Sequence, residues 1–131
     1  MIRLMIVDDQ PAIRRGLRMA LTAEPDFSVV GEADSGEAAL DLVTSLHPDV
    51  VLMDIELPHM NGIAATRIIQ AIHPTAAVII LSIHDDALTR ARAAEAGAAA
   101  FVAKSMPAET LLTVIRQVAR QSGNEPSAAL S

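Results

Sequence analysis

Five polar residues close short apolar runs along the chain: Asp8, Asp9, Asp54, Ser82 and Lys104. Three carboxylates gathered in one partly desolvated cleft would repel one another, so they would take up protons or a cation. Oxygen ligands around an open, hydrated face suit Mg²⁺. With such a cation and a lysine to neutralise the transferred oxygens, a carboxylate can accept a phosphoryl group. These residue types therefore indicate phosphoryl-transfer chemistry centred on Asp54.

The elements that carry these residues are predicted from hydrophobic patterning. Five short β-branched or aliphatic runs predict strands at residues 3–7, 27–33, 50–53, 77–82 and 100–103. The segments between them repeat apolar residues at i, i+3 and i+4, which predicts helices. Strict alternation favours an α/β fold, a flavodoxin-like (βα)5 doubly wound parallel sheet covered on both faces. Its usual strand order, 2-1-3-4-5, makes strands 1 and 3 neighbours and would bring the three carboxylates to one edge.

Helix ends and turns also leave signals in the sequence. The alanine-rich segment 87–96 follows Asp85 and Asp86, which are predicted to accept hydrogen bonds from its first N–H groups, and it precedes Gly97, a residue type that commonly ends helices. The last helix is predicted from Pro107. Three histidines near Pro or Asn residues are predicted to be exposed turn residues rather than metal ligands: His47, His59 and His73.

Composition narrows the possible functions. The chain has 131 residues, enough for one domain with a core, and a net charge of -6 at pH 7. Nucleic-acid binding requires a positive surface, so the negative charge argues against direct binding of DNA by this segment. Aromatic residues make up only 2%, with no Trp or Tyr, which argues against functions that stack rings on bases or flavins. The absence of Cys excludes disulfides and thiolate metal sites. No apolar run suits a signal peptide or a membrane span, so we expect a soluble cytoplasmic protein.

The ordered set of site residues resembles the receiver domain of bacterial two-component response regulators, over residues 1–121. The resemblance implies that Asp54 is the phosphoacceptor and that Asp8 and Asp9 bind Mg²⁺ together with Asp54 and the backbone carbonyl of Glu56. It further implies phosphate-binding and switch roles for three residues: Ser82, Lys104 and Phe101. The phosphodonor in that family is a sensor histidine kinase, and phosphorylation commonly produces a homodimer.

Shorter stretches resemble the LuxR-type or NarL-type subgroup, among them Asp9-Gln10-Pro11 and Val30-Gly31-Glu32-Ala33. In that subgroup a linker leads to a C-terminal helix-turn-helix domain. Residues 122–131, rich in Ser, Gly, Asn and Pro, are interpreted as such a linker or tail. DNA would then be contacted only through a domain that this chain lacks. A stand-alone receiver is the alternative.

Two further expectations concern the lifetime of the phosphate. Glu56 and His84, each two positions after a site residue, are predicted to screen it from water, and the bulky Ile83 would narrow access to it. No residue is an obvious base for activating water. We therefore expect that the chain is not an enzyme and that it shows at most slow autodephosphorylation.

Three other classes of protein stay open. A haloacid-dehalogenase-type phosphatase also forms an aspartyl phosphate with Mg²⁺, but the stretch after Asp54 lacks the second Asp and the Thr of its motif. A flavodoxin-like electron carrier would need a hydroxyl-rich loop after the first strand and an aromatic platform. A pseudo-receiver that serves only for docking would not need an intact set of site residues.

Overall fold

The protein is described by a computed structural model over residues 1–121. One parallel sheet has the strand order β2-β1-β3-β4-β5, which confirms the predicted fold and order. The strands are β1 (Ile2–Val7), β2 (Phe27–Ala33), β3 (Val50–Asp54), β4 (Ala77–Ser82) and β5 (Ala100–Ala103). The apolar runs therefore located all five strands, and the main difference is that β3 includes Asp54. The predicted linker, residues 122–131, lies outside the described residues.

Five helices alternate with the strands: α1 (Pro11–Thr22), α2 (Gly36–Leu46), α3 (Gly62–Ile72), α4 (Ala87–Glu95) and α5 (Ala108–Gln121). The prediction for α4 was half right. Asp86 is its N-cap and accepts a hydrogen bond from the Thr89 N–H, whereas Asp85 pairs with the side chain of Arg90. Gly97, with a φ of +100°, follows the helix end as expected.

Both faces of the sheet are covered by helices, which creates two apolar cores. Alternate residues of a strand point to opposite faces, so Leu52 packs into the core with α1 and α5, while Met53 packs into the core with α2, α3 and α4. Every residue of β3 and β4 is buried. Complete burial of a large aliphatic side chain stabilises the fold by about 1.5–3 kcal/mol. The core beneath the polar edge is therefore stabilised mainly by aliphatic side chains, with Phe27 as its one buried aromatic residue among the described residues.

The histidines only partly follow the prediction. His47 and His59 are exposed and have positive φ angles, as turn residues often do. His73 is half-buried, because its Nε2 lies 2.9 Å from the Thr44 hydroxyl. Among the described residues, no helix is both long and apolar enough to cross a membrane.

Candidate functional site

The carboxyl ends of four strands place the chemically capable residues side by side. Asp8 follows β1 directly, and β1 pairs with β3, which ends at Asp54. Ser82 ends β4, and Lys104 follows β5 directly and donates its backbone N–H to the Ser82 carbonyl at 2.8 Å. Strand pairing alone therefore brings together side chains that are far apart in sequence.

The three carboxylates form a compact oxygen cluster. One oxygen from each of Asp8, Asp9 and Asp54 lies within 4.8 Å of the other two. Asp8 and Asp54 are buried, whereas Asp9 is exposed. Within the part of the chain that the structure describes, it is the only group of three or more His, Cys, Asp or Glu side chains close enough to hold a metal ion. Oxygen donors with one exposed member fit a hard divalent cation that keeps part of its water shell.

Asp8 is held from several sides. Its N–H donates to the Ala33 carbonyl of β2 at 3.0 Å, and its Oδ1 accepts the Gln10 N–H at 2.9 Å. Its Oδ2 lies 3.2 Å from Lys104 Nζ, and its carbonyl accepts a hydrogen bond from the Arg14 guanidinium at 2.6 Å. Because each polar group of Asp8 has a partner, this buried carboxylate keeps a fixed direction.

Asp54 has an unusual electrostatic environment. Burial raises the pKa of its carboxyl above the ordinary value, and the charge of Asp8 adds to that effect. Lys104 Nζ, 3.1 Å from Asp54 Oδ1, and the Glu56 N–H, 3.3 Å from the same oxygen, act in the opposite direction. The charged form of the Asp54 carboxylate is therefore destabilised by its surroundings, and a further cation nearby would stabilise it.

Lys104 supplies the positive charge that the cluster already has. Burial lowers the pKa of Lys104, but its hydrogen bond to Asp54 and the charges of Asp54 and Asp8 outweigh burial and raise it. The ammonium group therefore stays charged at neutral pH. It touches two carboxylates at once and can equally pair with an anionic group on Asp54.

The tight turn after Asp54 depends on Gly62. A Cβ atom at this position would lie 2.0 Å from the Asp54 carbonyl oxygen, far inside contact distance. The Gly62 N–H donates to the Ile55 carbonyl at 2.8 Å, which closes the loop back onto the end of β3. Only glycine permits this approach, and the approach fixes the main chain beneath the Asp54 carboxylate.

The rim of the cleft is formed by two loops. A cavity of about 140 Å³ over Asp54 is lined in part by Asp9, Glu56 and Ile83, so Ile83 does border the access route. Glu56 Oε1 and His84 Nε2 lie 3.0 Å apart, and this contact connects the loop after β3 with the loop after β4. Both side chains are more than half exposed. Sequence reasoning named both residues but did not anticipate that they contact each other.

Ser82 and Phe101 lie on β4 and β5. The Ser82 hydroxyl oxygen is buried and accepts the His84 N–H at 2.9 Å, which leaves its proton to be donated. Phe101 is half-buried against the core of α2, α3 and α4. The Arg90 guanidinium carbon lies 4.6 Å from the centre of the Phe101 ring, and Arg90 also contacts Asp85 at 2.5 Å. This stacking could not be predicted from the sequence, because α4 and β5 meet only in the folded chain.

An acidic cluster and a lysine at the carboxyl edge of a 2-1-3-4-5 sheet define a class of protein, and comparison with known families identifies it. The family model described as "Response regulator receiver domain" matches residues 4–116. The chain therefore belongs to the response-regulator receiver family and is the receiver domain of a two-component signalling protein.

The relatives narrow this assignment to the LuxR or NarL type. The chain is 39% identical over 119 residues to the transcriptional regulatory protein DegU of Brevibacillus brevis, an alignment that covers 91% of this chain and 50% of that protein. It is similar to the receiver domain of the response regulator NarL from Mycobacterium tuberculosis, with a TM-score of 0.87, 32% identity and coverage of 91% and 96% of the two chains.

A second similar structure is that of a CheX-CheY-BeF3-Mg²⁺ complex from Borrelia burgdorferi. The TM-score is 0.84 at 26% identity, with 89% of this chain and 88% of the other covered. The chain spans about half the length of DegU.

Proposed function

We propose that Asp54 accepts a phosphoryl group from a phosphohistidine of a sensor histidine kinase and holds it as a signal. The observation that carries this proposal is the position of the Asp54 carboxylate, 3.1 Å from Lys104 Nζ and within 4.8 Å of carboxylate oxygens of Asp8 and Asp9. The similar CheY complex contains BeF3 and Mg²⁺. Their presence in a related fold supports the proposal that this site takes up a phosphoryl group and Mg²⁺. A Mg²⁺ ion bound by Asp8, Asp9, Asp54 and the Glu56 carbonyl would neutralise negative charge on the transferred oxygens.

The remaining chemistry falls to residues of the chain. An Asp54 oxygen forms a bond to phosphorus while the bond to the donor imidazole nitrogen breaks, and the bonding electron pair returns to that nitrogen. Lys104 exchanges its carboxylate partner for a phosphoryl oxygen. The Ser82 hydroxyl donates a hydrogen bond to another phosphoryl oxygen. Both contacts form only after the transfer, so they distinguish the phosphorylated from the unphosphorylated protein.

We further propose that the domain is a carrier and not an enzyme, with at most slow autodephosphorylation. Glu56 and His84 contact each other at the rim of the cleft, a position in which they would screen the phosphoryl group from water. The double variant Glu56→Gln, His84→Ala should change the half-life of the phosphorylated protein several-fold, while Asp54 remains available as the acceptor. An unchanged half-life in a ³²P decay assay would remove both residues from this role.

The output of the signal is also a proposal. Because the chain spans half of a transcriptional regulator, we propose that a C-terminal helix-turn-helix domain follows in the natural protein and that phosphorylation promotes a homodimer able to bind DNA. Phe101 would transmit the change through the face formed by α4, β5 and α5. A cytoplasmic location agrees with a kinase donor and a DNA target.

The direct test is incubation with acetyl phosphate and Mg²⁺ followed by intact mass spectrometry. Wild type should gain one phosphoryl group, and Asp54→Asn should gain none. No adduct on wild type, or an equal adduct on the variant, would contradict the proposal. Rapid turnover of a generic phosphate monoester would instead favour a phosphatase.

A further inference from the structure

Arg14, on the first turns of α1, connects the acidic cluster to the neighbouring strand. Its Nη1 donates to the main-chain carbonyl of Asp8 at 2.6 Å, and its Nε lies 3.4 Å from Glu32 Oε1. Glu32, on β2, is also bound by Arg18 at 2.6 Å. The Arg14 side chain is only 20% exposed, so the contact is sheltered from solvent. Arg14 therefore binds the main chain behind the cluster and not a carboxylate within it.

The carbonyl that Arg14 holds belongs to the peptide that joins Asp8 to Asp9. A peptide unit is planar and includes the Cα atoms of both residues, so fixing its oxygen fixes the starting point of the Asp9 side chain. Asp9 needs such support, because its exposed carboxylate has no hydrogen bond or ion pair to any of the described residues. Asp8 is held by several other contacts, whereas Asp9 depends on this main-chain contact.

Glu32 keeps Arg14 in this position. It pairs in register with Ile6 of β1, two residues before Asp8, so it lies on the strand next to the cluster. The ion pair of Arg14 Nε with Glu32 Oε1 at 3.4 Å limits the freedom of the Arg14 guanidinium to turn away.

We infer that Arg14 is a positioning residue for the divalent cation: it fixes the Asp8-Asp9 peptide and thereby directs the Asp9 carboxylate toward the shared site. The inference rests on the proposed function, since it requires that the cluster binds Mg²⁺. It adds a residue outside the cluster, on a helix, whose loss weakens cation binding without removing a ligand.

Matched substitutions on one helix test it. Arg14→Gln removes the contact with Asp8, whereas Arg15→Gln removes the same charge from an exposed neighbouring position. Arg18→Gln breaks the second contact with Glu32 but does not touch Asp8. Mg²⁺ affinity is measured by NMR titration of backbone amides, at a temperature where circular dichroism shows every variant folded. Arg14→Lys serves as a milder variant in case Arg14→Gln does not fold.

We expect Arg14→Gln to weaken Mg²⁺ binding about tenfold, because the Asp8-Asp9 peptide and the Asp9 side chain would then have to be ordered when the cation binds. Arg15→Gln and Arg18→Gln should change it less than about threefold, and Arg14→Lys should fall between. The Asp9 amide should also shift in metal-free Arg14→Gln, a change that a merely stabilising role would not require. Equal affinities for the Gln variants at 14 and 15 would overturn the inference alone. Absence of Mg²⁺ binding by wild type would overturn both it and the proposed function.

Discussion

Replacing Asp54 by Asn should stabilise the metal-free protein at neutral pH, although it removes the proposed acceptor. The substitution takes one negative charge out of a cluster of three carboxylates, two of which are buried. Lys104 does not lose its only partner, because Asp8 Oδ2 lies 3.2 Å from its ammonium group. The Asn side-chain oxygen can still accept the Glu56 N–H that Asp54 accepts. The variant therefore relieves repulsion without leaving a buried polar group unpaired.

The magnitude follows from the distances. At an effective dielectric constant of about 20, repulsion at the limiting separation of 4.8 Å is about 3.5 kcal/mol for the buried Asp8, and it is smaller for the exposed Asp9, whose charge is screened by water. Attraction to Lys104 at 3.1 Å is about 5 kcal/mol on the same scale. Attraction and repulsion therefore largely offset each other, and burial, the largest cause of the raised pKa of Asp54, disfavours its charged form by a net amount on the order of 2 kcal/mol, within the usual range for one substitution. For a domain of this size that corresponds to a melting temperature about 5–8 °C higher in Asp54→Asn.

The pH dependence has a defined sign. The pKa of Asp54 is raised above its ordinary value of 3.8, chiefly by burial, so the folded state binds this proton more tightly than the unfolded state. The penalty is absent when Asp54 is protonated in both states and grows as the pH rises from about 4 through the raised pKa. The difference between variant and wild type should therefore be largest at neutral pH and should vanish toward about pH 4.

Thermal unfolding followed by circular dichroism, with and without Mg²⁺, measures both effects. Mg²⁺ at about ten times its dissociation constant should stabilise wild type by about 1.4 kcal/mol and the variant by less, which narrows the gap. A melting temperature of metal-free Asp54→Asn at or below that of wild type at neutral pH would refute this account of the electrostatics.

Three other substitutions and one control variant probe the site and the rest of the fold. Lys104→Ala should leave phosphorylation by acetyl phosphate possible but uncouple the response, so phosphorylated variant and wild type should differ in dimerisation by light scattering; equal dimerisation would count against this role. Gly62→Ala forces a Cβ into the main chain at the end of β3 and should destabilise the fold by about 3 kcal/mol or more in urea unfolding. Gly16→Ala is its control, because a Cβ there meets nothing within 4 Å and should raise stability by about 0.5–1 kcal/mol. Arg116→Met removes ion pairs and ring stacking at the loop before β2 and should destabilise by about 1 kcal/mol, measured in the same assay. Its hydrogen bond to Asp26 lowers the pKa of that carboxyl, so the Arg116 effect should shrink as the pH falls through the lowered pKa, and a pH-independent effect would contradict it.

Sequence patterning predicted the sheet well for a physical reason. Strands buried on both faces appear as continuous apolar runs, and the run ending at Met53 stops one residue before the strand itself ends. Asp54 belongs to the strand because its main chain still pairs with Leu81 of β4, although its side chain is polar. Hydrophobicity marks where the core ends, and backbone pairing continues slightly further.

The side-chain contacts around the cluster were beyond the reach of patterning. Asp85 was expected to support the start of α4, but Arg90 takes its carboxylate instead. The contact of Arg14 with the Asp8 carbonyl likewise depends on how α1 leaves β1. These partners are selected by loop geometry and rotamers, and a one-dimensional period carries neither.

The hydrogen bond between Lys104 and Asp8 joins residues separated by 96 positions in sequence. During synthesis from the amino terminus, the three carboxylates leave the ribosome long before the lysine that offsets their charge. The proposed response to phosphorylation thus becomes possible only when the last strand is added to the sheet, as late contacts of high sequence separation require. A nascent or truncated chain would possess the acceptor and yet be unable to signal.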